Sequence, residues 1–193
     1  MAATTGCRYT VSTMSESRPP APLPRLTLVL GGARSGKSRH AEALVQAHAP
    51  PWTYIATAQG FDDEMRERIA LHRERRPQGW ITRDAPLDLA RAIREAEPRT
   101  PVLVDCLTLW LTNVMLAERD VPAAIAELEE ACAEAAGPLV LVSNEVGLGI
   151  VPDNALARRF RDHAGILHQR LAARADQVLL MVAGLPLTVK GDR

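Results

Sequence analysis

The sequence predicts an α/β protein built on a doubly wound, mostly parallel sheet flanked by helices. Three observations carry that expectation. Apolar runs, LTLVL, WTYIATA, PVLVDC, PLVLVSNEV and QVLLMVAG, alternate along the chain with stretches of helical periodicity. The central runs are apolar almost throughout, as parallel strands covered on both faces tend to be. The first run breaks into a glycine-rich turn, Gly31-Gly32-Ala33-Arg34-Ser35-Gly36-Lys37-Ser38, and an amphipathic pattern follows. Such sheets take their ligands at the carboxyl ends of the strands.

Each element follows in order. Residues 1–24 are rich in Thr, Ser and Pro without periodic hydrophobicity, so they are expected to form a disordered leader. Residues 25–193 are expected to form a single domain. After LTLVL comes a helix with Ala41, Leu44, Val45 and His48 on one face, ended by Pro50-Pro51. WTYIATA is a strand, and DDEMRERIALHRERR a charged helix with acids at its start and Arg73, Arg75 and Arg76 at its end, as the helix dipole favours. Leu87 to Ala96 is a further helix before the buried strand PVLVDC. LTLWLTNVML, apolar all round, is expected to be core rather than a subunit interface, and VPAAIAELEEACAEAA is amphipathic. PLVLVSNEV, a long helix across 154–175, QVLLMVAG and a short edge strand at LPLTVK complete the chain.

Composition narrows the function. Net charge is +0 across 193 residues, which gives no whole-molecule field for nucleic acid. Cys7, Cys106 and Cys132 are odd in number and lack a CxxC, against both a disulfide framework and a zinc site. No run approaches a membrane span and no signal peptide is present, so the chain is expected to be soluble and cytoplasmic.

Gly31 to Ser38 fits the phosphate-binding P-loop, Gly-x4-Gly-Lys-Ser, between a strand and a helix. Glycines let consecutive amide N–H groups turn inward onto phosphate oxygens, and the helix dipole adds to the attraction. Lys37, one of two lysines against 21 arginines, would reach the β and γ phosphates. Ser38 would offer a hydroxyl to Mg2+, and Asp105, at the end of Val102-Leu103-Val104, is placed as the second magnesium ligand. Asn144 and Glu145 end another strand at the same edge, where they either act on a nucleophile or cap a loop. His72 shares a helical face with Met65 and Ile69, flanked by Arg66 and Arg73. A neutral imidazole beside guanidiniums suits attack on phosphorus, whereas spacing alone favours an ordinary surface or half-buried helix histidine. His40, His48, His163 and His168 read as helix residues without chemistry.

GGARSGKSRHAE, YIATA, DDEMRERIALHRERRP with GW following, SNEVGLGIVP and RRFRDHAGILHQRLAARAD, in this order, resemble the bifunctional adenosylcobinamide kinase/adenosylcobinamide-phosphate guanylyltransferase family from about Arg25 almost to the C-terminus. The resemblance implies a RecA-like core, a homotrimer, and a late step of cobalamin assembly. Adenosylcobinamide is phosphorylated by ATP or GTP; a histidine in the position of His72 then takes GMP from GTP, and adenosylcobinamide phosphate displaces it to give adenosylcobinamide-GDP. It also assigns Gly31, Gly32, Ala33, Arg34, Ser35, Gly36, Lys37 and Ser38 to nucleotide phosphates, and Ala56, Thr57 and Ala58 to the nucleotide. Arg73, Glu74, Arg75, Arg76, Asp84 and Asp105 complete that implied site. Aspartate at 84 departs from the glutamate expected there. The competing expectations are a P-loop small-molecule kinase without nucleotidyl transfer and a nucleotide-operated switch. The chain has no Asn-Lys-x-Asp guanine-reading motif, so guanine preference rests on the resemblance.

Overall fold

The computed structural model describes residues 22–59 and 78–191. They form a seven-stranded sheet with β1 (Leu26–Gly31), β2 (Trp52–Ala56), β3 (Trp80–Asp84), β4 (Val102–Asp105), β5 (Leu139–Asn144), β6 (Gln177–Val182) and β7 (Leu185–Lys190). The strands lie in the order β3-β2-β4-β5-β1-β6-β7, all parallel except the antiparallel β6–β7 pair. The helices are α1 (Lys37–Gln46), α2 (Leu89–Arg94), α3 (Leu107–Leu116), α4 (Val121–Glu134) and α5 (Ala155–Arg174).

Strand alternation sends the core to both faces. Leu26, Leu28, Val102, Val104, Leu139 and Leu141 pack with α2, α3, α4 and α5 on one side. Val29, Leu103, Val140 and Val142 meet Ala41 and Val45 of α1 on the other. The apolar α3 buries Leu107, Trp110, Leu111 and Val114 within its own domain, as its composition predicts. Local chemistry fixes the helix starts. Asp120 accepts from the Ala123 N–H at 3.0 Å and Asn154 from the Ala157 N–H at 2.7 Å, each satisfying a donor at a helix N-terminus.

Strand β3 is the element without a clear sequence signal. It lies at the sheet edge, and Ile81, Thr82 and Asp84 are exposed, so it shows neither an apolar run nor alternation. Pairing with β2 and packing of Trp80 on Trp52 and Tyr54, at ring centroid distances of 5.4 and 5.9 Å, hold it. LPLTVK is the predicted edge strand, joined to β6 by a two-residue turn. Ala183 and Gly184 there have φ of 51° and 84°, the signs a type I′ hairpin turn requires.

Candidate active site at the carboxyl edge of the sheet

Strand pairing brings the predicted residues to one edge. Gly31 lies opposite Asn144, Asp105 opposite Ala56, and Ala56 opposite Asp84. Neighbouring strands are about 4.8 Å apart, so Asp105 lies two strands, about 10 Å, from β1. Asp84 lies four strands away, about 19 Å, too far to reach a group bound at the P-loop. It lines a separate 230 Å³ cleft with Arg83, Asp88 and Arg91.

Gly31 and Gly36 have different reasons to be glycine. A Cβ on Gly31 would lie 2.5 Å from Ser35 Oγ and 2.9 Å from the Met181 carbonyl, and Gly36 has φ of 92° just before α1 begins. Arg34 also has a positive φ, 56°, at the crest of the loop. The result is a 560 Å³ cleft lined by Arg34, Ser35, Gly36, Lys37, Ser38 and Arg39, with Ala183 and Gly184 opposite. Three cationic side chains in one cleft suit a polyphosphate. Lys37 is buried, and its Nζ donates to the Gly32 carbonyl at 3.0 Å, which holds the ammonium folded against its own loop.

Asp105 is half-buried, and Tyr54 donates its hydroxyl to Asp105 Oδ2 at 3.2 Å. Burial, then the Asp105 charge, pushes the Cys106 thiol up, while Lys37 acts in the opposite sense. Cys106 therefore lies in the fields of both Lys37 and Asp105. Thr57 is fully buried, and its hydroxyl donates to the Cys106 carbonyl at 2.7 Å and accepts from the Cys106 N–H at 2.9 Å. The Asn113 amide donates to the carbonyls of Thr57 at 2.8 Å and Pro86 at 3.0 Å. Thr57 thus shapes the edge through bonds within the protein. Ala56 is buried beside it and Ala58 is half-buried.

Asn144 donates to Thr108 Oγ1 at 3.1 Å, which in turn lies 3.1 Å from Cys106 Sγ. Glu145 donates its N–H to the Gly31 carbonyl at 3.0 Å. His168 lies on a helix as expected, but it is turned inward, its Nε2 2.7 Å from Ser143 Oγ and its Nδ1 3.8 Å from Glu145 Oε2. Burial holds its imidazole below the ordinary histidine range, with the Glu145 carboxylate opposing that shift. His72, Arg73, Glu74, Arg75 and Arg76 lie outside the described residues.

The P-loop hydroxyl of Ser38 and the carboxylate of Asp105 are hard oxygen donors, the set that Mg2+ accepts while keeping water and phosphate oxygens in its remaining positions. Among the described residues, no group of three or more His, Cys, Asp or Glu side chains could hold a metal by itself.

The family profile described as cobinamide kinase / cobinamide phosphate guanyltransferase matches residues 27–189. The chain belongs to that family. It is a transferase by that membership. The bifunctional adenosylcobalamin biosynthesis protein CobP of Pseudomonas aeruginosa is 51% identical over 168 residues, covering 86% of this chain and 97% of that one. The bifunctional adenosylcobalamin biosynthesis protein CobU of Salmonella typhimurium is 45% identical over 181 residues, covering 86% and 99%. Among solved structures, an ATPase of a type III secretion system matches with TM-score 0.51 at 11% identity, over 86% of this chain and 57% of that protein. The flagellar accessory protein FlaH of Methanocaldococcus jannaschii matches with TM-score 0.50 at 13% identity, over 89% and 80%. These two show a shared fold and nothing finer. Neither Tyr54, Asn113 nor Gly184 stood out in the sequence as part of this edge. Gly184, between two apolar runs, was the detectable signal for a turn; the other two are visible only through strand and helix packing.

Proposed function

We propose that the chain phosphorylates the hydroxyl of adenosylcobinamide with ATP or GTP, and then transfers GMP from GTP through a GMP–His72 intermediate to give adenosylcobinamide-GDP and pyrophosphate. The observation that supports it most is a P-loop cleft lined by three cations, at the same sheet edge as the Asp105 strand end two strands away, in a chain of this family. In the kinase step, the loop amides and Lys37 fix the triphosphate so that the γ-phosphorus faces the acceptor in line. Mg2+, held by Ser38 and Asp105, would neutralise charge on the phosphate oxygens. Tyr54 orients the Asp105 carboxylate for that task. In the second step the neutral His72 imidazole attacks the α-phosphorus, and Arg73 and Arg76 offset charge on the departing pyrophosphate. Glu74 and Arg75 belong to the same nucleotide-contacting segment, with Ala56, Thr57 and Ala58 forming the floor at the end of β2. Asp84, too far from the P-loop to share its phosphate, serves the nucleoside end or the guanylyl-transfer position.

Self-association as a homotrimer in the cytoplasm completes the reading. Exposed Leu185, Leu187 and Val189 on β7 offer apolar surface for self-association. No helix among the described residues is long and apolar enough to cross a membrane. The deciding experiment is His72→Ala, assayed for both activities. Guanylyl transfer should vanish while phosphorylation of adenosylcobinamide persists; survival of both would exclude His72 as the nucleophile.

A further inference from the structure

Glu145 directly follows β5 at the carboxyl edge of the sheet, next to the first residue of the P-loop. Strand β5 lies between the P-loop strand and the Asp105 strand, and it runs past Asp105, which pairs with Val142. The backbone N–H of Glu145 is tied to the Gly31 carbonyl, so the residue is anchored to the first residue of the phosphate cradle. Its side chain is 23% exposed, open enough to meet a substrate and to return a proton to water. The other carboxylates of this edge are less suited. Asp105 is the carboxylate proposed to hold magnesium, and Asp84 lies four strands from β1.

Behind Glu145 sits a buried support. Ser143 is fully buried, and its hydroxyl lies 2.7 Å from His168 Nε2, which leaves Nδ1 toward Glu145 Oε2 at 3.8 Å. A neutral imidazole with its proton on Nδ1 accepts from the Ser143 hydroxyl and presents an N–H to the carboxylate. Movement of less than about one ångström would make that approach a hydrogen bond.

We infer that Glu145 is the catalytic base of the kinase step, and that His168 and Ser143 are positioning residues for its carboxylate. The inference rests on the kinase half of the proposed function. The acceptor O–H bond breaks and its proton passes to a Glu145 carboxylate oxygen. The hydroxyl oxygen bonds to the γ-phosphorus, the bond from that phosphorus to the bridging oxygen breaks, and the electron pair leaves with the nucleoside diphosphate. Glu145 then gives the proton to water. Guanylyl transfer through a histidine has no acceptor hydroxyl to deprotonate, so Glu145 acts in one of the two activities.

Glu145→Gln separates chemistry from architecture. Glu145 Oε1 accepts from the Gly147 N–H, and a carboxamide oxygen can keep that bond while losing the ability to take a proton. The full-length protein and the variant are assayed with magnesium, ATP and adenosylcobinamide for kcat and KM, and with α-labelled GTP for self-guanylylation. The kinase kcat should fall about 100-fold or more, the range that general bases contribute, with both KM values and self-guanylylation within about threefold of the parent. Glu145→Asp, which keeps the base but retracts it, should recover part of kcat. His168→Gln should lower kcat about tenfold without raising KM, the signature of a misplaced base. A Glu145→Gln kcat within about threefold of the parent overturns the inference, as does a parallel loss of kinase, nucleotide affinity and self-guanylylation. A parent that phosphorylates no adenosylcobinamide at all overturns the kinase reading itself, and this inference with it.

Discussion

Replacing Asn113 with leucine tests how the nucleotide edge is held together. Asn113 is 5% exposed and donates to two carbonyls, at 2.8 Å to Thr57 and 3.0 Å to Pro86. These belong to the chain leaving β2 and the chain leaving β3, so one amide ties two loops to α3. Leucine keeps the branched four-atom skeleton of asparagine without its donors, opens no cavity, and its greater bulk can only add to the cost. Each of these carbonyls left without a donor costs about 1–3 kcal/mol, so the pair costs about 2–6 kcal/mol. With a urea slope of about 2 kcal/mol per molar, the unfolding midpoint should fall by about 1–3 M at unchanged slope. The Thr57 turn should also loosen, weakening nucleotide binding in the folded variant. Urea titration followed by circular dichroism is the assay. A midpoint within about 0.3 M of the parent would mean that the two carbonyls find other donors, and the clamp argument would fail.

Lys37→Met removes the ammonium from the cleft; nucleotide affinity should fall about 10–100-fold by calorimetry, and an unchanged affinity would contradict a phosphate role for Lys37. The lowered proton affinity of buried His168 means that the unfolded chain binds that proton more readily, so its contribution to stability is whole above about pH 6.5 and is lost as pH falls through the folded value. His168→Gln should flatten the acid-side fall of the melting temperature, with His40, shifted the same way by burial, retaining part of the slope; an unaltered slope argues against it. Burial pushes the Cys132 thiol up to about 12 and raises Cys106 as well. Both should resist iodoacetamide at pH 8 until the chain unfolds, and rapid labelling of either in the native protein, read by mass spectrometry, would refute their placement in the core.

The parallel core was legible because its strands are buried on both faces, which leaves continuous apolar runs such as LVLV at 139–142. The P-loop was legible because close packing at Gly31 and the left-handed backbone at Gly36 both demand glycine at fixed spacing. Strand β3 was not, since half-exposed edge residues carry no periodic signal and its place is set by β2. The partner of His168 was hidden for a related reason. Helical spacing gives the face of a residue but not what packs there, and Ser143, 25 positions away in sequence, supplies its partner. Asp105 read as a strand-end acid and Asp84 entered only through the resemblance; the strand order puts them two strands, about 10 Å, and four strands, about 19 Å, from β1.

The most direct test of the account is to incubate the protein and its His72→Ala variant with magnesium and GTP labelled at the α-phosphate, then examine denatured protein by gel and intact mass. Label confined to the parent, lost in acid and stable in base, is the predicted result and identifies a GMP–histidine phosphoramidate. A nucleotide-binding parent that phosphorylates adenosylcobinamide yet takes up no label would contradict the covalent route and leave a kinase alone.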